Sequence, residues 1–137
     1  MKKRNIISFI LFLLYLGFVA WCCFGHFDSL PNISRNIFGF PTDKVVHFLM
    51  FFPFAFLCFA SFDYLAKNRW KALLLLVGVL VVGLLVAVST EAGQSLTTYR
   101  AADTLDFKAD AIALASASII ILIIILLRKT DKNKLNV

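Results

Sequence analysis

Three short stretches hold most of the residues in this chain that could do chemistry. They are Asp43-Lys44-x-x-His47, Glu91-x-x-Gln94 and Arg100-x-x-Asp103-x-x-Asp106-x-x-x-Asp110. Carboxylates beside an imidazole suit general acid–base work, and a cation beside them suits a phosphate or sugar headgroup. His47 is the candidate base or ligand, and Glu91 and Asp106 are the candidate acid–base or metal-holding groups. Arg100 offers a planar fork to a carboxylate or phosphate. With it, Asp43, Lys44, Gln94, Asp103 and Asp110 form the candidate binding set. Asp103, Asp106 and Asp110 fall at i, i+3 and i+7, one face of a helix, and their hard oxygens suit a divalent metal whose identity the spacing leaves open. Clustered carboxylates repel one another, so a cation must intervene or their protons are held more tightly.

The elements that position these residues follow from composition. Hydrophobic residues make up 61% of the 137 and charged residues 16%, with mean hydropathy +0.86. Soluble domains run to roughly half apolar residues. This balance excludes a disordered chain, a soluble nucleotide-binding domain and a disulfide scaffold. Apolar runs predict helices over about 6–24, 44–62, 72–94 and 104–127, each long enough to cross a bilayer. The expected fold is all-α: a four-helix transmembrane bundle forming one integral-membrane domain over 1–137. Pro53 is expected to kink the second helix, Gly78 and Gly83 to give close contacts in the third, and 119–127 to face lipid. The first run ends Ala20-Trp21-Cys22-Cys23-Phe24, which fits neither a signal-peptidase nor a lipoprotein cleavage site, so a retained helix is expected. Cys22, Cys23 and Cys58 form no metal or redox spacing.

Charge sets the orientation. The net charge of +6 is not spread as a nucleic-acid surface would be, and no nucleic-acid partner is expected. Both termini and the loop around Lys67 are assigned to the cytoplasm. That side then holds ten basic and two acidic residues, net +8, and the outer side four basic and six acidic, net −2. This is the asymmetry of the positive-inside rule. The outer loop over 25–42 contains Pro31 and Pro41, a sequon at Asn32, a solitary His26 and an apolar Ile37-Phe38-Gly39-Phe40 patch suited to the interface.

Counting helical rise brings the candidate residues to one level. His47 lies about 20 residues from Lys67, Glu91 about 20 from Lys71 and Asp110 about 18 from Arg128. At about 1.5 Å per residue, each stands roughly 27–30 Å above the basic boundary. Helix capping alone accounts for Asp43 and Asp103, placed as N-caps of the second and fourth helices. It does not account for Glu91, at the helix end where a negative charge is disfavoured, or for Asp110, two turns into the fourth helix. Ionisable groups at that depth mark a polar network.

The same residues, in order and at these depths, resemble the VanZ-like family, over the chain from Pro41 to Leu127. The chain departs from the family pattern at Phe51, where a tyrosine is common, and at Asp110 and Ala113, where asparagine and glycine are favoured. The tyrosine hydroxyl is therefore dispensable here, or another group replaces it. The resemblance implies a multi-pass protein of the bacterial cytoplasmic (inner) membrane that acts at the outer leaflet. Its implied roles are cell-envelope modification or antibiotic resistance of the glycopeptide (teicoplanin) type. The implied partners are membrane lipids and an envelope lipid, glycan or lipoglycopeptide. Whether the chain is an enzyme stays open. The alternative is a non-catalytic binding or structural protein whose polar network locks the bundle. The aspartate series is also similar to the Mg²⁺-diphosphate motifs of membrane prenyltransferases, but a second such motif is absent.

Overall fold

The computed structural model describes residues 3–25, 36–37, 39–97 and 103–127. Four helices dominate: α1 (Lys3–Phe24), α2 (Thr42–Phe62), α3 (Arg69–Ser95) and α4 (Thr104–Leu127). All four are long and apolar enough to cross a membrane. The apolar runs located the helices within a few residues, and the differences lie at polar ends. The helix α3 starts before its apolar run because the Asn68 side chain accepts the Lys71 N–H at 2.8 Å, capping the first turn. The helix α2 starts at Thr42 with Pro41 as its N-cap residue and no side-chain cap, so Asp43 is a first-turn acid and not the cap. Asp103 does cap α4: its Oδ1 accepts the Leu105 N–H at 2.9 Å.

A small element precedes α2. Strands β1 (Asn36–Ile37) and β2 (Phe40–Pro41) pair antiparallel, with Asn36 opposite Pro41 and Ile37 opposite Phe40. Gly39 carries φ 83°, a conformation that only glycine adopts freely, and so permits the turn. His26, Asn32 and Phe38 lie outside the described residues.

Packing follows the 3.6-residue period. The buried face of α2 includes His47, Met50, Phe51, Phe54, Ala55 and Cys58; that of α4 includes Asp106, Asp110, Ala113, Leu114, Ala117 and Ile121. These two helices share the largest interface, α3 covers α4 and α1 covers α2. Ala113, Leu114 and Ala117 are fully buried, so small side chains bring the α4 backbone close to its neighbours. The Phe12 and Phe54 rings join α1 to α2 edge to face, centroids 5.3 Å apart. Gly83 is a close contact, since a Cβ there would stand 2.7 Å from Leu114 Cδ2; Gly78 is not one, because its Cβ would meet open space. The aliphatic end of α4 is not wholly outward as expected. Ile121 and Ile125 are buried while Ile119, Ile120, Ile123 and Ile124 are exposed, because helical periodicity returns every third or fourth residue to the core. The helix α2 continues through Pro53 to Phe62.

The outer surface is apolar. Ile7, Leu14, Leu49, Leu74, Val77, Leu85 and Ile112 all stand exposed on the helix sides, far more apolar area than a water-facing surface carries in one patch. Polar contacts gather at the two ends. At one, Arg4 Nη2 meets Asp63 Oδ2 at 2.5 Å, and Asn5 Nδ2 donates to the Ala60 carbonyl at 3.1 Å and to Asp63 Oδ1. Arg69 Nη2 donates to the Leu126 carbonyl at 3.2 Å, satisfying one of the free acceptors at the end of α4.

Candidate functional site

The opposite end gathers the acidic residues. Its centre is Lys44, in the first turn of α2. Its Nζ donates to Asp43 Oδ2 at 2.8 Å, to Asp103 Oδ2 at 2.5 Å and to Asp106 Oδ1. One ammonium thereby ties the start of α2 to the start of α4. Asp43 and Asp103 are rim residues, while the side chain of Asp106 is only 12% exposed. Asp103 stands just outside α4. The Lys44 ammonium, and then the Leu105 N–H, hold its carboxyl below the usual carboxylate range.

One turn beyond Lys44 the ring of His47 is buried between α2 and α4. Its Nδ1 lies 3.0 Å from Asp110 Oδ1, and its Nε2 lies 3.6 Å from Asp106 Oδ2. With Asp110 ionised and the ring neutral, Nδ1 donates to Asp110 and Nε2 is left with a lone pair toward Asp106. Glu91 arrives from α3, also buried; its Oε2 accepts the Asp103 N–H at 3.1 Å. Spacing therefore brought His47, Glu91, Asp103, Asp106 and Asp110 to one place across three helices.

Gln94 is part of a different contact. It is buried, and its Nε2 donates to the Cys23 carbonyl at 3.2 Å, clamping the end of α1 to α3. Arg100 lies outside the described residues. Among those described, the counter-charge at the centre is Lys44, which the sequence offered only as one of several cations.

Among the described residues, two groups could hold a metal ion: His47, Glu91 and Asp106, all buried, and Asp43, Asp103 and Asp106 near the rim. In each, one ligand atom per residue lies within 4.8 Å of the others. Asp110 belongs to neither. The i, i+3, i+7 series spans two helical turns, and its deepest member is engaged with His47 instead.

Several buried atoms have no hydrogen-bond partner among the described residues: Glu91 Oε1, Asp110 Oδ2, Ser118 Oγ and the Tyr15 hydroxyl. Tyr15 was missed in the sequence. It comes from α1 and lies within electrostatic reach of Asp110. A single hydroxyl in an apolar run gives no periodic signal that separates it from an interfacial tyrosine.

No family model, no curated protein and no solved structure matches this chain. What the site can do is therefore argued from its own atoms. They provide a fixed cation, a buried imidazole oriented by a carboxylate, and two further carboxylates with free acceptor capacity.

Proposed function

We propose that this is a multi-pass protein of the bacterial inner membrane, VanZ-like, that binds or modifies an envelope headgroup at the outer leaflet. The observation that carries the reading is the convergence of Lys44, His47, Glu91, Asp106 and Asp110 at the end of the bundle opposite Arg4 and Arg69. Helices with apolar sides sit in lipid, and basic residues stay on the cytoplasmic side. The acidic end then faces outward, level with headgroups, with both termini inside. An envelope lipid, a glycan or a teicoplanin-type lipoglycopeptide offers the phosphates, hydroxyls or amines that such groups engage. A divalent ion held among the carboxylates of this end would add a further anchor for a phosphate.

In the catalytic form of this reading, His47 Nε2 takes or gives the proton, Asp110 holds the ring, and Glu91 and Asp106 stabilise the charged state. A second reading rests on a specific contact: the three bonds of Lys44 join α2 to α4, which is what a structural lock requires.

Glu91→Gln at equal membrane abundance separates these forms, because it keeps shape and removes charge. Loss of activity by about 10²-fold or more in lipid, glycan or lipoglycopeptide dose–response assays marks catalysis that uses the Glu91 carboxylate, as proton carrier or as stabiliser of the charged imidazole. Loss of about 1–2 kcal/mol marks binding through one hydrogen bond. If overexpression of the native chain moves none of these profiles, the envelope reading fails.

A further inference from the structure

The carboxylates at the acidic end outnumber the cations that meet them. Around the buried centre stand Glu91, Asp106 and Asp110, and among the described residues the ammonium bonded there is that of Lys44. With His47 neutral and all three carboxylates ionised, these described groups sum to a net charge of −2, three carboxylates against one ammonium. Buried charge is held only when it is compensated.

We infer that His47, Glu91 and Asp106 hold a divalent first-row metal ion, with Asp110 orienting the histidine from behind.

Four observations converge. The three residues offer ligand atoms within 4.8 Å of one another. Ligands at about 2.1 Å from a tetrahedral ion stand about 3.4 Å apart, and His47 Nε2 and Asp106 Oδ2 are 3.6 Å apart, too far for a hydrogen bond. Glu91 is 9% exposed, and its Oε1 has no hydrogen-bond partner among the described residues, so this buried carboxylate keeps an unmet acceptor. Finally, Asp110 Oδ1 lies 3.0 Å from Nδ1, the carboxylate–histidine pairing that, with the proton on Nδ1, fixes the tautomer of a metal-bound imidazole. A divalent cation makes the buried centre neutral.

The rim set of Asp43, Asp103 and Asp106 is the weaker site, because Lys44 already donates to all three and fills it with the protein's own cation. Asp106 can serve both, offering Oδ1 to Lys44 and Oδ2 to the ion. One imidazole and two carboxylates favour Mn²⁺ or Zn²⁺ over Mg²⁺ or Ca²⁺, which prefer all-oxygen shells. Three protein ligands leave a position for a water or a substrate oxygen.

This deepens the reading of the acidic end as the working site. A chain that binds the ion yet changes no envelope profile would sink that reading and leave the metal centre standing. The test uses the full chain in detergent, stripped with chelator and titrated with Mn²⁺, followed by the loss of the free-ion paramagnetic resonance signal. Mn²⁺ is the probe because it is indifferent to the thiols of Cys22, Cys23 and Cys58. One ion per chain is expected. Glu91→Gln should abolish binding, Asp110→Asn should weaken it by about 10–100-fold, and Asp43→Asn should leave it within about 3-fold on the same scale. A native chain that binds no Mn²⁺ overturns the inference, whatever the variants do. So does binding lost in Asp43→Asn but kept in Glu91→Gln, which would move the ion to the rim.

Discussion

Replacing Lys44 with methionine removes one charge and keeps most of the side-chain volume. The structure says what that leaves behind. Lys44 is 16% exposed and bonds three carboxylates, of which only Asp106 is substantially buried, at 12% exposure. Asp43 and Asp103 reach solvent and lose little. The cost therefore falls on Asp106, left as a buried charge with His47 on its other side. Charges about 4 Å apart at an effective dielectric near 20 interact by about 4 kcal/mol, and breaking one side of a buried pair costs about 3–5 kcal/mol. Partial water access at Lys44 lowers this to about 3 kcal/mol. Equilibrium unfolding in mixed detergent–SDS micelles measures it. The companion variant is Lys44→Met with Asp106→Asn, which removes the stranded charge and should recover most of the loss. A coupling free energy of about 2 kcal/mol or more from that cycle is expected. If Lys44→Met stays within about 0.5 kcal/mol of the native chain, or if Asp106→Asn gives no rescue, the cluster is a solvated rim and the reasoning fails.

Three further outcomes are expected. Asp103 titrates below the ordinary carboxylate range, so its stabilising contribution is complete above its unfolded pKa of about 3.9 and is lost as pH falls through the lowered value. Carboxyl-carbon NMR of labelled protein should show that low titration, and Lys44→Met should move it upward. Gly83→Ala presses a methyl onto buried Leu114 and Phe54 and should cost about 1–3 kcal/mol; Gly93→Ala meets only the half-exposed ring of Phe24, which can swing away, and should cost far less by the same unfolding measurement. In intact cells, on a background without native cysteines, an impermeant thiol reagent should label Leu96→Cys and spare Lys67→Cys; the reverse pattern would invert the proposed orientation.

Much of this architecture was legible because lipid-length apolar runs announce themselves. The helix ends were less so, since capping by Asn68 and extension into Arg69 and Lys71 depend on single polar residues outside the apolar run. The site was legible by depth: rise per residue put His47, Glu91 and Asp110 on one level, and the structure brings them together. Depth carries no azimuth, however. It did not say that Asp110 would turn to His47 while Asp106 turned to Lys44, that Gln94 would face Cys23, or that α1 would deliver Tyr15. Those depend on how each helix is rotated, which packing of Phe54, Leu114 and Ala117 decides. The hairpin before α2 was not anticipated, because two-residue strands leave no period to read.

The two ends of the bundle solve the same problem differently, and the contrast bears on purpose. At the basic end, one half-buried carboxylate, Asp63, receives Arg4 on one oxygen and Asn5 on the other, and the unpartnered atom left there, Asn5 Oδ1, is an uncharged amide oxygen. At the acidic end, stability alone would be served by Lys44 and Asp106, yet Glu91 and Asp110 are buried beside them with one oxygen each unpartnered among the described residues. Each such atom costs about 1–3 kcal/mol unless something meets it. A chain that only needed to hold α2 against α4 would gain by replacing Glu91 with leucine. The surplus carboxylates and the buried imidazole are what the proposed ligand would meet. The lock and the site are also separable in principle, because Lys44 engages Oδ1 of Asp106 while Oδ2 faces His47. Stability should follow the first oxygen and ligand binding the second.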